Sequence, residues 1–169
     1  MRRTWMGLFA GVVLAAAGAL DAQVVTDRQL SRVNGDVIME SDVRQAKLLK
    51  LVSASATTDD AILVELENRR LVLAEVARAA PAEPTADEVA SRRRQWESAL
   101  GGSATALLAQ AGMSEASLTS WLRDDVRMDR YLTRRFAAAP NPAAEIDQWI
   151  KSLRKRAGLK IGGAPDPAH

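Results

Sequence analysis

The sequence predicts a mainly α-helical domain closed by a small β-sheet, and three stretches carry that reading. Asp60 to Ala79 sets Ile62, Leu66, Leu73 and Val76 at helical spacings, while Val64, Leu71 and Val72 add apolar area on a second side. Ser114 to Phe136 repeats the pattern through Leu118, Leu122, Val126 and Leu132. Asn34-Gly35, between Arg32-Val33 and Val37-Ile38, is a hairpin signal, because both residues tolerate the positive φ of a type I′ turn. A helix of about twenty residues spans roughly 30 Å, the width of a small domain. The Asp60 helix is therefore read as the spine that the other elements cover.

At the amino terminus Arg2 and Arg3 precede an uncharged, mostly apolar run ending at Leu20, followed by Ala22. That is the layout of a secretory signal peptide over residues 1–22, with Ala19 as a second cleavage position. A retained membrane anchor is the alternative, but the uncharged run from Thr4 to Leu20 sits at the short limit of about 17–25 residues for a spanning helix. Residues 23–161 are expected to form one domain around one core, and 162–169 a flexible tail. Twenty-three basic against 21 acidic residues give a net charge of +2, too weak a field for a phosphate-bound nucleic-acid partner. With no cysteine, neither disulfides nor thiolate metal sites contribute, so stability has to come from packing.

In chain order, a two-stranded hairpin is marginal alone and needs a third strand or a helix beneath it. Ser41 is placed to cap a helix running to Val52, and Thr58 or Asp59 to cap the spine, which Pro81 and Pro84 close. Thr85-Ala-Asp-Glu88 is a capping box opening a third helix that Gly101-Gly102 stops. A short helix from Ser103 to Ala111 precedes Gly112, and Ser114 opens the second long helix, the expected packing partner of the first. Pro140 and Pro142 interrupt it. A final helix over Ala143 to Arg156 ends at Gly158, and Leu159-Lys-Ile161 reads as the strand the hairpin lacks.

Taken together, Val33-Asn-Gly-Asp-Val-Ile-Met-Glu-Ser-Asp-Val43, Leu66-Glu-Asn-Arg-Arg-Leu-Val-Leu-Ala-Glu-Val76 and Pro84-Thr-Ala-Asp-Glu-Val89 resemble the amino-terminal chaperone domain of SurA-type periplasmic proteins. Met113 to Phe136 is similar to the last long helix of that domain, and Glu145 to Ile161 to its returning helix and strand. In that family one or two parvulin-type prolyl isomerase modules lie between those two parts. Here a short bridge over 139–143 stands in their place. The resemblance implies a periplasmic protein that binds unfolded or outer-membrane polypeptides without ATP and without a cofactor. Isomerase activity is not carried over, because the family performs it on a separate module with buried histidines.

The residues themselves offer little for catalysis. The single histidine, His169, is the last residue of a Pro-containing tail. Asp124, Asp125 and Asp129 alternate with arginines on the second long helix and read as a solvated face of weak ion pairs, and Arg92-Arg93-Arg94 reads as exposed, with the option of steering acidic clients. Trp96, Trp121 and Trp149 are a large share of the aromatic area in a chain with one Tyr and two Phe. They belong either to the core or to a binding groove. The candidate peptide-binding set is Trp96, Met113, Trp121, Met128 and Tyr131, since Met adapts to varied partners and aromatic rings supply contact area. The expected function is non-enzymatic binding of unfolded segments, with no metal, no cofactor and no nucleic acid, and with membrane contact only through an uncleaved signal peptide. The alternatives are an envelope assembly subunit that binds one folded partner and an isomerase by family descent. Oligomeric state stays open.

Overall fold

A computed structural model of the chain describes residues 27–160. The expected signal peptide with its cleavage positions, Ile161 and the tail over 162–169 lie outside the described residues. Those that are described form a mainly helical domain with a two-stranded antiparallel sheet.

Strands β1 (Gln29–Val33) and β2 (Asp36–Met39) pair in antiparallel register around Asn34 (φ 51°) and Gly35 (φ 97°), the left-handed pair that the turn requires. Val33 and Ile38 project from the hairpin into the core. Helix α1 (Glu40–Leu48) follows β2 directly. Ser41 is not its cap: the Met39 amide donates to the Asp42 carboxylate at 2.8 Å, and Ser41 Oγ donates to Asp27. The helix also stops short of Val52, because Lys50 turns to a positive φ of 49° and starts the loop.

The spine is α2 (Asp59–Ala79), capped by Thr58 Oγ1, which accepts from the Ala61 amide at 3.2 Å. The capping box opens α3 (Ala86–Leu100) through bonds from the Thr85 amide to Glu88 at 2.7 Å and from the Glu88 amide to Thr85 Oγ1 at 3.4 Å. Helices α4 (Ala104–Ala111), α5 (Glu115–Arg135) and α6 (Pro142–Arg156) start at Ser103, Ser114 and Asn141, whose side chains accept from the third amide of each helix. Helix α5 packs on α2, as expected, but more extensively on α3.

The expected single core is divided in two. Val33, Ile38, Val43, Ile62, Leu66 and Val76 build the larger cluster with Tyr131 and Leu153. Leu49, Val89, Trp96, Leu100, Leu108, Leu118 and Leu122 build the second. Helix α5 supplies the second with its first half and the larger with its second half, and half-buried Leu51 touches both.

The third strand expected at Leu159-Lys-Ile161 is absent among the described residues, where Leu159 and Lys160 lie outside any strand. Their backbone closes α6 instead. Gly158, at φ 68°, donates to the Lys155 carbonyl and Leu159 donates to the Arg154 carbonyl, the paired bonds of a Schellman ending. Leu159 packs against the larger core and the Lys160 carbonyl accepts from Arg154 Nε at 2.8 Å.

That arginine is buried, and so is its partner. Arg154 Nη2 donates to Glu67 Oε2 at 2.8 Å and its Nη1 donates to Asn68 Oδ1 at 2.9 Å, while Ser31 Oγ donates to Glu67 Oε1 at 2.5 Å. One network thus ties β1, α2, α6 and the terminal segment, with the carboxylate at 7% and the arginine at 5% exposure. Breaking a buried pair strands the surviving charge, so Arg154→Ala should cost about 3–5 kcal/mol in urea unfolding. Glu67→Leu combined with Arg154→Met should recover most of that loss, and a single mutant within about 1 kcal/mol of wild type contradicts the account. Truncation after Gly158 removes Leu159 and the Lys160 carbonyl and should lower the melting temperature.

Candidate functional site

Helix α6 packs chiefly on α2. Its contact with α5 is made near the end of that helix, where Trp149 meets Tyr131 at a ring-centroid distance of 6.0 Å and Phe136 at 5.7 Å. Arg135 lies 5.0 Å from the Trp149 ring and adds a cation–π contact. Between α2, α5, Ile150 of α6 and the α1–α2 loop lies a trough of about 290 Å³.

Its walls are apolar. Val72 of α2, Trp121, Met128 and Leu132 of α5, Ile150 of α6 and Leu51 with Val52 of the α1–α2 loop line it. All of these except Val72 are half-buried, so the trough presents part of each side chain to the outside. Helical spacing explains the row on α5, because positions 121, 125, 128 and 132 follow one another on one face.

Its polar floor is a second ion pair. The Arg69 guanidinium stacks on the Trp121 ring at 3.8 Å, donates to the Trp121 carbonyl at 2.9 Å and pairs with Asp125. Burial raises the Asp125 carboxyl above its ordinary value, against the pull of Arg69, and burial likewise lowers Arg69. The solvated-face reading of α5 therefore fails at Asp125, which points inward. Three other charges on this helix reach across to α3: Asp129 pairs with Arg92, Glu115 with Arg93 and Arg130 with Glu88, while Arg127 pairs with Asp124 and Glu83. Of the three consecutive arginines only Arg94 is fully exposed.

Trp121 Nε1 is a buried donor without a hydrogen-bond partner among the described residues, and buried Arg127 Nε makes no hydrogen bond but lies 3.6 Å from the Glu83 carboxylate. Trp121 also borders a small, partly open pocket of about 30 Å³, shared with Met113, Asp42 and Gln45.

Of the five residues expected in a groove, the structure brings three together. Trp121 and Met128 line the trough, and Met113 joins Trp121 at the adjoining pocket. Trp96 goes to the core, where its Nε1 donates to the Leu49 carbonyl at 2.8 Å and the ring is 8% exposed. Tyr131 is likewise buried, under Trp149. Arg69, Leu132 and Ile150 were not anticipated as wall residues. Leu132 and Ile150 carry the signal of Trp121 and Met128, an apolar residue on a half-covered helix face, but the sequence does not say which face stays open.

No cluster of three or more His, Cys, Asp or Glu side chains suited to a metal ion occurs among the described residues, and no described helix is long and apolar enough to cross a membrane. Comparison with known proteins finds no family model, no curated protein and no solved structure that matches this chain. The site has to be interpreted from its own geometry.

The α3–α5 ion pairs give stability a definite pH dependence. Glu88 is held below the ordinary carboxylate range by the Thr85 amide and hydroxyl and then by Arg130, and Glu115 by Arg93. A carboxyl lowered in the folded state stabilises above its unfolded value and loses that contribution as pH falls through the folded one. Asp125 works in the opposite sense, since its raised value favours the fold at low pH. Arg93→Gln with Arg130→Gln should therefore lower the melting temperature at neutral pH and shrink the further loss between about pH 5 and pH 3. Thermal melts across that range check it. An unchanged acid limb would show that these pairs do not control it.

Proposed function

We propose that this chain is an exported, ATP-independent chaperone-like domain that holds apolar segments of unfolded polypeptides, outer-membrane proteins among them, in the trough over α2. The observation that carries the reading is the row of Trp121, Met128, Leu132 and Ile150, four large apolar side chains that face one gap and are only half covered. Met and Trp are suited to varied sequences, one by flexibility and the other by area. From Trp121 to Leu132 the trough wall on helix α5 runs roughly 16 Å, room for about five residues of extended chain. The resemblance to SurA-type chaperone domains in the order of the hairpin, the long helices and the final helix supports the same reading and the periplasmic location.

The mechanism is mass action. A segment buried reversibly in the trough lowers the free concentration of aggregation-prone chain, and no bond is made or broken. Such binding is weak, because a short extended segment loses conformational freedom that its buried area only partly offsets. No proton transfer or nucleophile is needed, and the reading assigns no isomerase step.

Light scattering from an unfolded outer-membrane protein diluted into buffer tests it. The wild-type domain should suppress scattering in proportion to its concentration. Met128→Glu with Ile150→Glu should require about tenfold more protein for the same suppression, since a charge in the apolar wall is left unpaired when a client covers it. Melting curves of both proteins show that the fold is retained. Equal suppression by the mutant, or none by the wild type, overturns the proposal.

A further inference from the structure

The trough does not end at its own walls. Glu65 also lines a depression of about 370 Å³ that includes Thr58, Asp60, Ala61 and Val64. At the other end Leu132 is shared with one of about 380 Å³ that includes Phe136, Pro142 and Ile146. Through these shared residues the three adjoin, and a chain lying along them would follow one path.

Charge along this path is uneven. Its lining includes four carboxylates, those of Asp60, Glu65, Asp125 and Asp129, against the single cation Arg69. Arg69 pairs with Asp125, and Arg92 from α3 pairs with Asp129. Asp60 and Glu65 have no ion-pair partner among the described residues. The Glu65 carboxylate accepts from the Ser53 amide at 2.8 Å and from the Ser53 hydroxyl, neutral donors that orient it without cancelling it. The nearby Lys47 is committed to Asp59. A chain with a net charge of +2 thus has an acidic end on a path whose other charges are paired.

We propose that the partner segment is apolar with a flanking Lys or Arg, the apolar part lying between Trp121 and Ile150 and the cation resting at Asp60 and Glu65. This rests on the chaperone reading above and adds the charge of the client to it. Apolar burial supplies most of the affinity, and the acidic end selects among apolar segments by attracting those with basic flanks and repelling those with acidic ones.

Fluorescence anisotropy of three labelled peptides with one apolar core and Lys, Gln or Glu flanks tests this on the wild-type domain. The Lys-flanked peptide should bind roughly tenfold more tightly than the Glu-flanked one at low salt, the effect of turning two exposed charge pairs from repulsion to attraction. The ratio should collapse toward unity at about 0.5 M NaCl, where charges are screened within a few ångströms. Asp60→Asn with Glu65→Gln should narrow the low-salt ratio to about twofold or less. Equal binding of all three peptides at low salt overturns the charge selection and leaves the chaperone reading standing. No binding of any peptide at either salt concentration overturns both.

Discussion

The architecture depends on a guanidinium and a carboxylate that are buried together. Arg154, near the end of α6, meets Glu67 in the middle of α2, and Ser31, Asn68 and the Lys160 carbonyl take up remaining donor and acceptor positions around the pair. Two charges buried without those extra bonds would cost several kcal/mol each. With them, the pair adds little net stability compared with an apolar substitute, but it accepts only one arrangement of hairpin, spine and final helix. Apolar packing between Val33, Ile38, Ile62 and Leu153 supplies the driving force. The ion pair fixes the register in which that packing is made.

The trough follows from this constraint. Helix α6 is held on α2 at its carboxy-terminal end, and the aromatic contact of Trp149 with Tyr131 and Phe136 fixes its relation to the end of α5. Helix α5 is tied to α3 as well, by Arg92–Asp129 and Arg130–Glu88 and by the second core cluster. It therefore serves two cores. The apolar residues left half-covered by that division, Trp121, Met128 and Leu132, are the ones that make a binding surface. Arg69 stacks on the Trp121 ring and so orients one end of the wall.

Much of the helical outline was legible, because local chemistry announces it. Thr58, Thr85, Ser103 and Ser114 cap the helices that begin after them, and Asn34-Gly35 makes the turn expected of it. Ser41 misled because Asp27, fourteen residues earlier, claims its hydroxyl. The third strand misled because the backbone of residues 158–159 closes α6. The buried pair was hidden in Glu65-Leu-Glu-Asn-Arg-Arg70, a run that composition marks as surface. A positional clue was nevertheless present: Glu67 has Leu63 and Leu71 one turn to either side, so a charge there sits on an apolar stripe and needs a partner. Which residue answers it is a tertiary fact. The same holds for the candidate site, where Trp121 and Trp96 look alike in sequence but only Trp96 has a carbonyl, that of Leu49, within reach of its indole nitrogen.

The measurement that bears most directly on the central claim is site-specific photo-crosslinking to an unfolded outer-membrane protein. A benzophenone side chain is placed in turn at Met128, at Ile150 and at exposed Arg94 on the far side of α3. The account predicts client adducts from the two trough positions and only background from Arg94. Equal crosslinking at all three positions, or adducts from Arg94 alone, would show that the trough over α2 is not where this protein binds.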